Sequence, residues 1–245
     1  MKIHPNWRIK DEEIRGLPHI SNVLSRPLEY YKKRIQKIGF LGKNTRLLDA
    51  ACGSGVWAIA SSYLNLEVFG IDSTEKYLSV AQKIKKSLSA KGRSASGGKI
   101  DNLKLKIGHL EHLPYPDKYF DYVVCYNAWM YTDRLKSLAE MFRVLKPGGK
   151  IYLGCIAGLG YYLMLTLQGV KEGNRSLFFT ALRAIWDKIY MTEKESRDLL
   201  EKQGFKILGL AGAGMLGEPK VKIEPDFQIK KIGFWYIYEI LAEKI

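Results

Sequence analysis

Apolar positions along the chain fall into two alternating rhythms, short continuous runs and helical spacing. After about twenty irregular residues, Val23, Leu24, Leu28, Tyr31, Ile35 and Ile38 predict one helix over 21–38. Short apolar runs, and one alternating stretch at Leu103–Ile107, then predict strands at Arg46–Ala50, Glu67–Ile71, Leu103–Ile107, Tyr122–Tyr126 and Ile151–Cys155, with helices at Val56–Tyr63, Thr74–Leu88 and Asp133–Leu145. Continuous apolar strands alternating with helices imply a parallel sheet covered on both faces. The expected fold class is therefore α/β, a doubly wound and mostly parallel sheet.

The rhythm changes after Cys155. Residues 158–190 carry many large apolar side chains, among them Tyr161, Tyr162, Leu167, Phe178, Phe179 and Trp186, and read as two helices forming a lid. The stretch Ile151–Val170 holds no charge and is long enough to span a bilayer. Its four glycines and its start in an expected strand favour a buried strand followed by an apolar cover. Thr192, with Glu195 at the capping-box position, opens another helix ending at Gly204. Strand Phe205–Ala211 follows, and a last strand is expected at Phe234–Leu241, with GAGMLGEPKVKIEPD between them as a loop.

A length of 245 residues suits one domain. It divides into an N-terminal helical cap (1–40), a core (41–156), a helical lid (157–191) and a C-terminal helix with strands (192–245). The net charge of +14 admits a nucleic acid, a membrane surface or a phosphorylated substrate as partner, and equally a solvated lysine-rich surface. Much of the charge flanks SAKGRSASGGKI, which reads as a basic surface loop over 89–100. Cys52, Cys125 and Cys155 lack metal-site spacing and suit a reducing, cytoplasmic setting, with Cys125 in the core. The first residues have no apolar core, so no signal peptide is expected.

The most informative stretch is LLDAACGSGVWAIA, residues 47–60. A strand, a small-residue loop and a helix start let a ligand approach bare backbone, and the helix end offers N–H groups to an anion. Gly53-x-Gly55-x-x-Ala58, with Asp72 nineteen residues beyond Gly53, fits the dinucleotide fingerprint. Asp49 argues otherwise. A carboxylate four residues before Gly53 gains nothing from a pyrophosphate and suits a ligand with a cationic amino-acid end.

Four segments together resemble the class I S-adenosylmethionine-dependent methyltransferases, of the small-molecule type related to ubiquinone and sterol methyltransferases. Asp49-x-Ala51-x-Gly53-x-Gly55 resembles the cofactor loop, with Ala51 replacing the usual first glycine. Val68–Asp72 resembles the second strand with its ribose-binding acid. Gly108–Asp117 with Phe120-Asp121 resembles the adenine loop and fourth strand, and Arg143–Gly149 the turn before the fifth.

The resemblance implies a seven-stranded Rossmann-like methyltransferase fold with an antiparallel last strand. It also implies S-adenosylmethionine as cofactor, held by Asp49, Ala51, Gly53, Gly55, Asp72, Ser73, His109, Leu110 and Asn127. Asp72 would accept the ribose hydroxyls; its alternative is a helix cap, since Ser73-Thr74-Glu75 follows. His109 stands where relatives carry an acid. It either accepts from the adenine amino group as a neutral imidazole or merely flanks the base.

The expected reaction is methyl transfer to a small apolar or aromatic acceptor at oxygen, with Tyr31, Trp129, Tyr131, Tyr161, Tyr162 and Phe178 as candidate acceptor contacts. No general base is identifiable; His4, His19, Tyr30, Tyr31, Tyr131, Tyr161 and Tyr162 are the candidates. Asn127-Ala-Trp-Met is not the Asn/Asp/Ser-Pro-Pro-aromatic run of base-amino methyltransferases, and no Pro-Cys nucleophile appears. An RNA methyltransferase and a non-catalytic partner subunit stand as alternatives. A homodimer through 158–190 is the alternative to a lid.

Overall fold

The computed structural model describes residues 2–17, 20–64, 66–89, 100–216, 230–231, 234–235 and 237–245. The chain begins with two short 3-10 turns and two helices, α1 (Ile20–Leu24) and α2 (Leu28–Lys37). Strand β1 (Arg46–Ala50) leads through a tight loop to α3 (Val56–Ser62), and β2 (Glu67–Asp72) to α4 (Glu75–Ser89). Next come β3 (Leu103–Ile107), β4 (Phe120–Tyr126), a 3-10 turn at Trp129–Tyr131, α5 (Arg134–Val144) and β5 (Leu145–Ala157). The hairpin of α6 (Leu159–Lys171) and α7 (Arg175–Trp186) precedes α8 (Glu193–Gln203) and β6 (Phe205–Gly212). Two two-residue strands, β7 (Lys230–Lys231) and β8 (Phe234–Trp235), pair with each other before β9 (Ile237–Lys244).

Seven strands form one sheet in the order β3-β2-β1-β4-β5-β9-β6. The pairs among β3, β2, β1, β4 and β5 are all parallel, and β9 runs antiparallel between β5 and β6. Successive strand residues point to opposite faces. Leu47, Val124 and Tyr152 accordingly join a core under α1 to α4, while Leu48, Val123 and Leu153 join a second core under α5 to α8. Burial on both sides is why these strands read as unbroken apolar runs.

Three expected elements need correction. The single helix over 21–38 is two helices, because Pro27 has no N–H to donate and disfavours helical backbone at Arg26. Pro27 instead caps α2 in extended geometry (φ −69, ψ 155). The last strand starts three residues later than expected, at Ile237, since Phe234–Trp235 belongs to β8. Its far end is held by Lys244, which donates to the carbonyls of Phe142 (2.6 Å) in the last turn of α5 and Leu145 (2.8 Å) just after it. At α8 the cap is half as expected. Thr192 accepts from the Glu195 N–H at 3.1 Å, but the Glu195 carboxylate turns away to Arg134. The two lid helices are present. They approach so closely that a Cβ on Gly169 would meet the Phe178 backbone at 2.6 Å. Most of the basic loop 89–100, and of the loop after Gly212, lies outside the described residues.

Candidate active site

The carboxyl ends of the parallel strands converge on the loop after β1. This loop is built from backbone that ordinary residues avoid: Ala51 has φ 62, Gly53 φ 52 and Gly55 φ 76. It is strapped to the end of β2 by Cys52 N–H donating to Ile71 O (2.7 Å) and Gly53 N–H donating to the Asp72 carboxylate (2.8 Å). A Cβ on Gly53 would meet no atom within 4 Å, so the space above the loop is open. At Gly55 the missing side chain also permits close packing, since its Cβ would lie 3.0 Å from Ala81 on α4.

Asp49 is buried beneath the loop and accepts from Ala58 N–H in the first turn of α3 (2.9 Å). Burial pushes its carboxyl up to about 7, against the pull of that hydrogen bond, and the nearby Asp72 charge adds to the rise. Asp72 has one oxygen on Gly53 N–H and the other on Thr74 N–H (2.9 Å). That second bond is a local turn before α4, so the carboxylate orders two loops rather than one helix end. Each oxygen keeps a lone pair for a further donor. Ser73 beside it is exposed.

The third edge is the loop after β3. His109 and His112 form an isolated antiparallel bridge, with His109 exposed and the Leu110 side chain buried in the core. Arg143 fastens this loop to α5. It donates to the carbonyls of Leu113 (2.9 Å) and Tyr115 (2.8 Å) and pairs with Glu140 and Asp117. Glu140 in turn accepts from Leu113 N–H (2.7 Å). The sequence motif marked Arg143 without disclosing this task.

The fourth edge lies over β4 and β5. Asn127, at φ 56, donates its N–H to Gly154 O (2.8 Å). Cys155, at φ 55, sits in an irregularity of the β5–β9 pairing between Leu153 and Ile156, a bulge that re-aims the strand at the site. Tyr126, Tyr131, Tyr161 and Tyr162 gather around Cys155. The Tyr131 and Tyr162 hydroxyls interact, and the Tyr161 and Tyr162 rings meet edge to face at 5.3 Å. Tyr30 borders the group, with the Arg26 guanidinium 4.5 Å from its ring centre. Burial raises the phenols of Tyr126, Tyr131, Tyr161 and Tyr162 above their ordinary value and the Cys155 thiol to about 11. These groups are neutral hydrogen-bonding walls, and none is a base near neutral pH.

Two expected acceptor contacts, Tyr31 and Trp129, are corrected by burial. Tyr31 is buried between Trp7 and Trp57, and its hydroxyl donates to Val23 O at 2.7 Å. Trp129 is equally buried, its indole N–H on Arg134 O at 3.1 Å. Phe178 packs at the α6–α7 contact. Cys125 is core, as expected. Among the base candidates, His4 caps the first turn by accepting from Asn6 N–H, and His19 lies outside the described residues. Sequence reasoning missed Arg26, Tyr126 and Cys155 as neighbours of the cleft; for Tyr126 the available signal was its place at a parallel strand's carboxyl end. An open groove of about 650 Å³, reaching from Met130 to Leu199, shares Tyr131 with this cleft and is lined by none of the glycine-loop residues.

Residues 48–153 match a family model described as a methyltransferase domain. The chain is 32% identical over 195 residues to a demethylmenaquinone methyltransferase of Staphylococcus aureus, covering 78% of this chain and 73% of that one. Its fold is similar to an S-adenosylmethionine-dependent methyltransferase from Aquifex aeolicus, with TM-score 0.61, 17% identity, and 97% and 100% of the two chains covered. It is also similar to a geranyl diphosphate methyltransferase solved with GPP and sinefungin, with TM-score 0.62, 14% identity, and 95% and 82% covered.

Proposed function

The chain belongs to the class I S-adenosylmethionine-dependent methyltransferases related to the quinone methyltransferases, and on that premise we propose that its acceptor is a small, apolar aromatic ring of the quinol class. The enzyme uses S-adenosylmethionine and acts on a small molecule. The observation carrying the finer reading is the group of tyrosines near Cys155: Tyr126 at the end of β4, Tyr131 just after it, and Tyr161 and Tyr162 at the start of α6. Aromatic walls with a few hydroxyls suit a flat, hydroxylated ring. The printed name of the Staphylococcus aureus relative points the same way.

The residues present fit the cofactor. The open space over Gly53 is a cradle that any Cβ would enter, and Asp72 offers lone pairs at its rim. We propose that Ala51, Gly53 and Gly55 lie under the methionine part, with Asp49 below its amine. Asp72 and Ser73 hold the ribose, His109 and Leu110 border the adenine, and Asn127 closes the floor. When bound, the cofactor supplies an activated methyl group on a sulfonium.

This chain's residues then position the acceptor and exclude water. Tyr131 and Tyr162 orient a ring hydroxyl by hydrogen bonding, and the α6–α7 hairpin covers the cleft. A quinol ring is nucleophilic at its hydroxyl oxygen and at the adjacent ring carbon. The oxygen expected from sequence is one of these two, and NMR of the product tells O-methyl from C-methyl.

The test is turnover with a panel of reduced naphthoquinones and simple phenols. Tyr162→Phe and Tyr161→Ala should lower turnover at least tenfold while leaving cofactor affinity unchanged. Methylation of RNA but of none of these rings would overturn the reading.

A further inference from the structure

The α6–α7 hairpin has a second face that the cleft does not use. Leu163, Leu167 and Val170 share one side of α6 at i, i+4 and i+7, and are 48%, 71% and 63% exposed. Phe179, Leu182 and Trp186 share one side of α7 at i, i+3 and i+7, and are 62%, 44% and 86% exposed. On both helices this side is turned away from the core, which receives Tyr162 from α6 and Ala184 from α7. Scattered exposed apolar residues are ordinary, but two aligned stripes with an exposed tryptophan form a patch.

The charges around the patch identify its partner. Lys171 and Arg175 stand at the hairpin tip, and Arg183 and Lys188 lie along and beyond α7, all exposed. Glu172 and Asp187 are the acidic residues of the segment 159–188, and Asp187 is paired with Arg183 at 3.2 Å. An aromatic and aliphatic face with a basic border is the composition of a helix lying in a bilayer interface. The net charge of +14 adds long-range attraction to anionic headgroups. The same charge opposes a second copy of this chain, since a two-fold contact would bring two basic borders together. Among the described residues no helix is long and apolar enough to cross a membrane, so the contact is with its surface.

We propose that the outer face of the α6–α7 hairpin docks this enzyme on an anionic lipid surface. Trp186 and Phe179 enter the headgroup region, and Lys171, Arg175 and Lys188 meet lipid phosphates. The cleft-side tyrosines of α6 lie outside that stripe, Tyr162 in the core and Tyr161 packed against it, so docking does not cover them.

The experiment is co-sedimentation of the full chain with vesicles of phosphatidylcholine alone and with an equal mixture of phosphatidylcholine and phosphatidylglycerol. The expected result is binding to the mixed vesicles, weaker binding to the neutral ones, and loss on raising salt. Phe179→Ser with Trp186→Ser should weaken vesicle binding roughly tenfold or more. Unchanged cofactor affinity and circular dichroism would show that the variant is folded. In Trp186→Phe, vesicles should still bind but the blue shift of tryptophan emission should fall. Equal binding by the double variant, or no binding to mixed vesicles, overturns the proposal. So does a wild-type dimer that the double variant converts to monomer in analytical ultracentrifugation. None of these outcomes depends on which acceptor is methylated, so this inference and the quinol reading fail separately.

Discussion

Arg34 and Glu239, 205 residues apart, meet as a buried two-pronged ion pair at 2.8 and 3.0 Å. Both are nearly inaccessible, and each has further partners. Arg34 donates to the carbonyls of Gly214 (3.0 Å) and Leu216 (2.9 Å). Glu239 accepts from Tyr152 OH (2.6 Å) and from the N–H groups of Gly214 (2.9 Å) and Leu216 (2.7 Å). One pair thus joins the N-terminal helices, the middle of the sheet and the segment after β6.

Breaking this pair from one side leaves a buried charge without its counter-ion. Glu239→Leu should therefore destabilise by about 3–5 kcal/mol in urea titration. Arg34→Met with Glu239→Leu should recover only part of that. Unlike a simple pair, Glu239 also serves two backbone N–H groups, which the double variant leaves without an acceptor. Full recovery in the double variant would show those two bonds to be immaterial.

Asp72 and Gly53 test the cofactor loop. Asp72→Ala removes the ribose acceptor and also frees Gly53 N–H and Thr74 N–H, so calorimetry should show at least roughly tenfold weaker cofactor binding. Gly53→Val should abolish binding, because a side chain would fill the open cradle and strain a φ of 52. Normal affinity in the valine variant would remove this loop from the site.

Asp49 makes the ligand-free fold pH-sensitive. Its folded-state pKa of about 7 lies above the ordinary carboxylate value, so its stabilising contribution is complete below about pH 4 and fades as pH rises through 7. Asp49→Asn should flatten that part of the stability–pH profile, an effect on the order of a few kcal/mol. A cationic amine above Asp49 favours its ionised form, so cofactor binding near pH 6 should release a proton. Calorimetry in buffers of different ionisation enthalpy measures this. Proton uptake, or no buffer dependence, would separate Asp49 from the amine.

Ala51 holds φ 62, where a Cβ meets backbone and glycine does not. Ala51→Gly should raise stability by up to about 1 kcal/mol, part of the relieved strain being offset by the looser unfolded chain. A lower melting temperature in the glycine variant would show that the alanine methyl packs favourably enough to outweigh its strain.

The sequence by itself determined the order of the main strands and helices, the two-sided burial of the central strands and the place of the glycine loop. These depend on local spacing: apolar runs for two-sided strands, helical periodicity between them, and small residues where Gly53 and Gly55 need left-handed backbone. Pro27 was also legible as a helix break, and the longer apolar rhythm hid it. Contacts across the chain were a different matter. Nothing local tells Arg34 that Glu239 will lie beside it, or turns the Glu195 carboxylate from its own helix cap to Arg134. Tyr31, Trp129 and Phe178 looked like ligand contacts because large aromatics serve cores and pockets equally. Only the packed structure removed Tyr31 and Trp129 from that set, by burying each ring and giving its hydroxyl or indole N–H a backbone acceptor. The pairing of β9 between β5 and β6 likewise joins strands distant along the chain, and it is decided by tertiary packing.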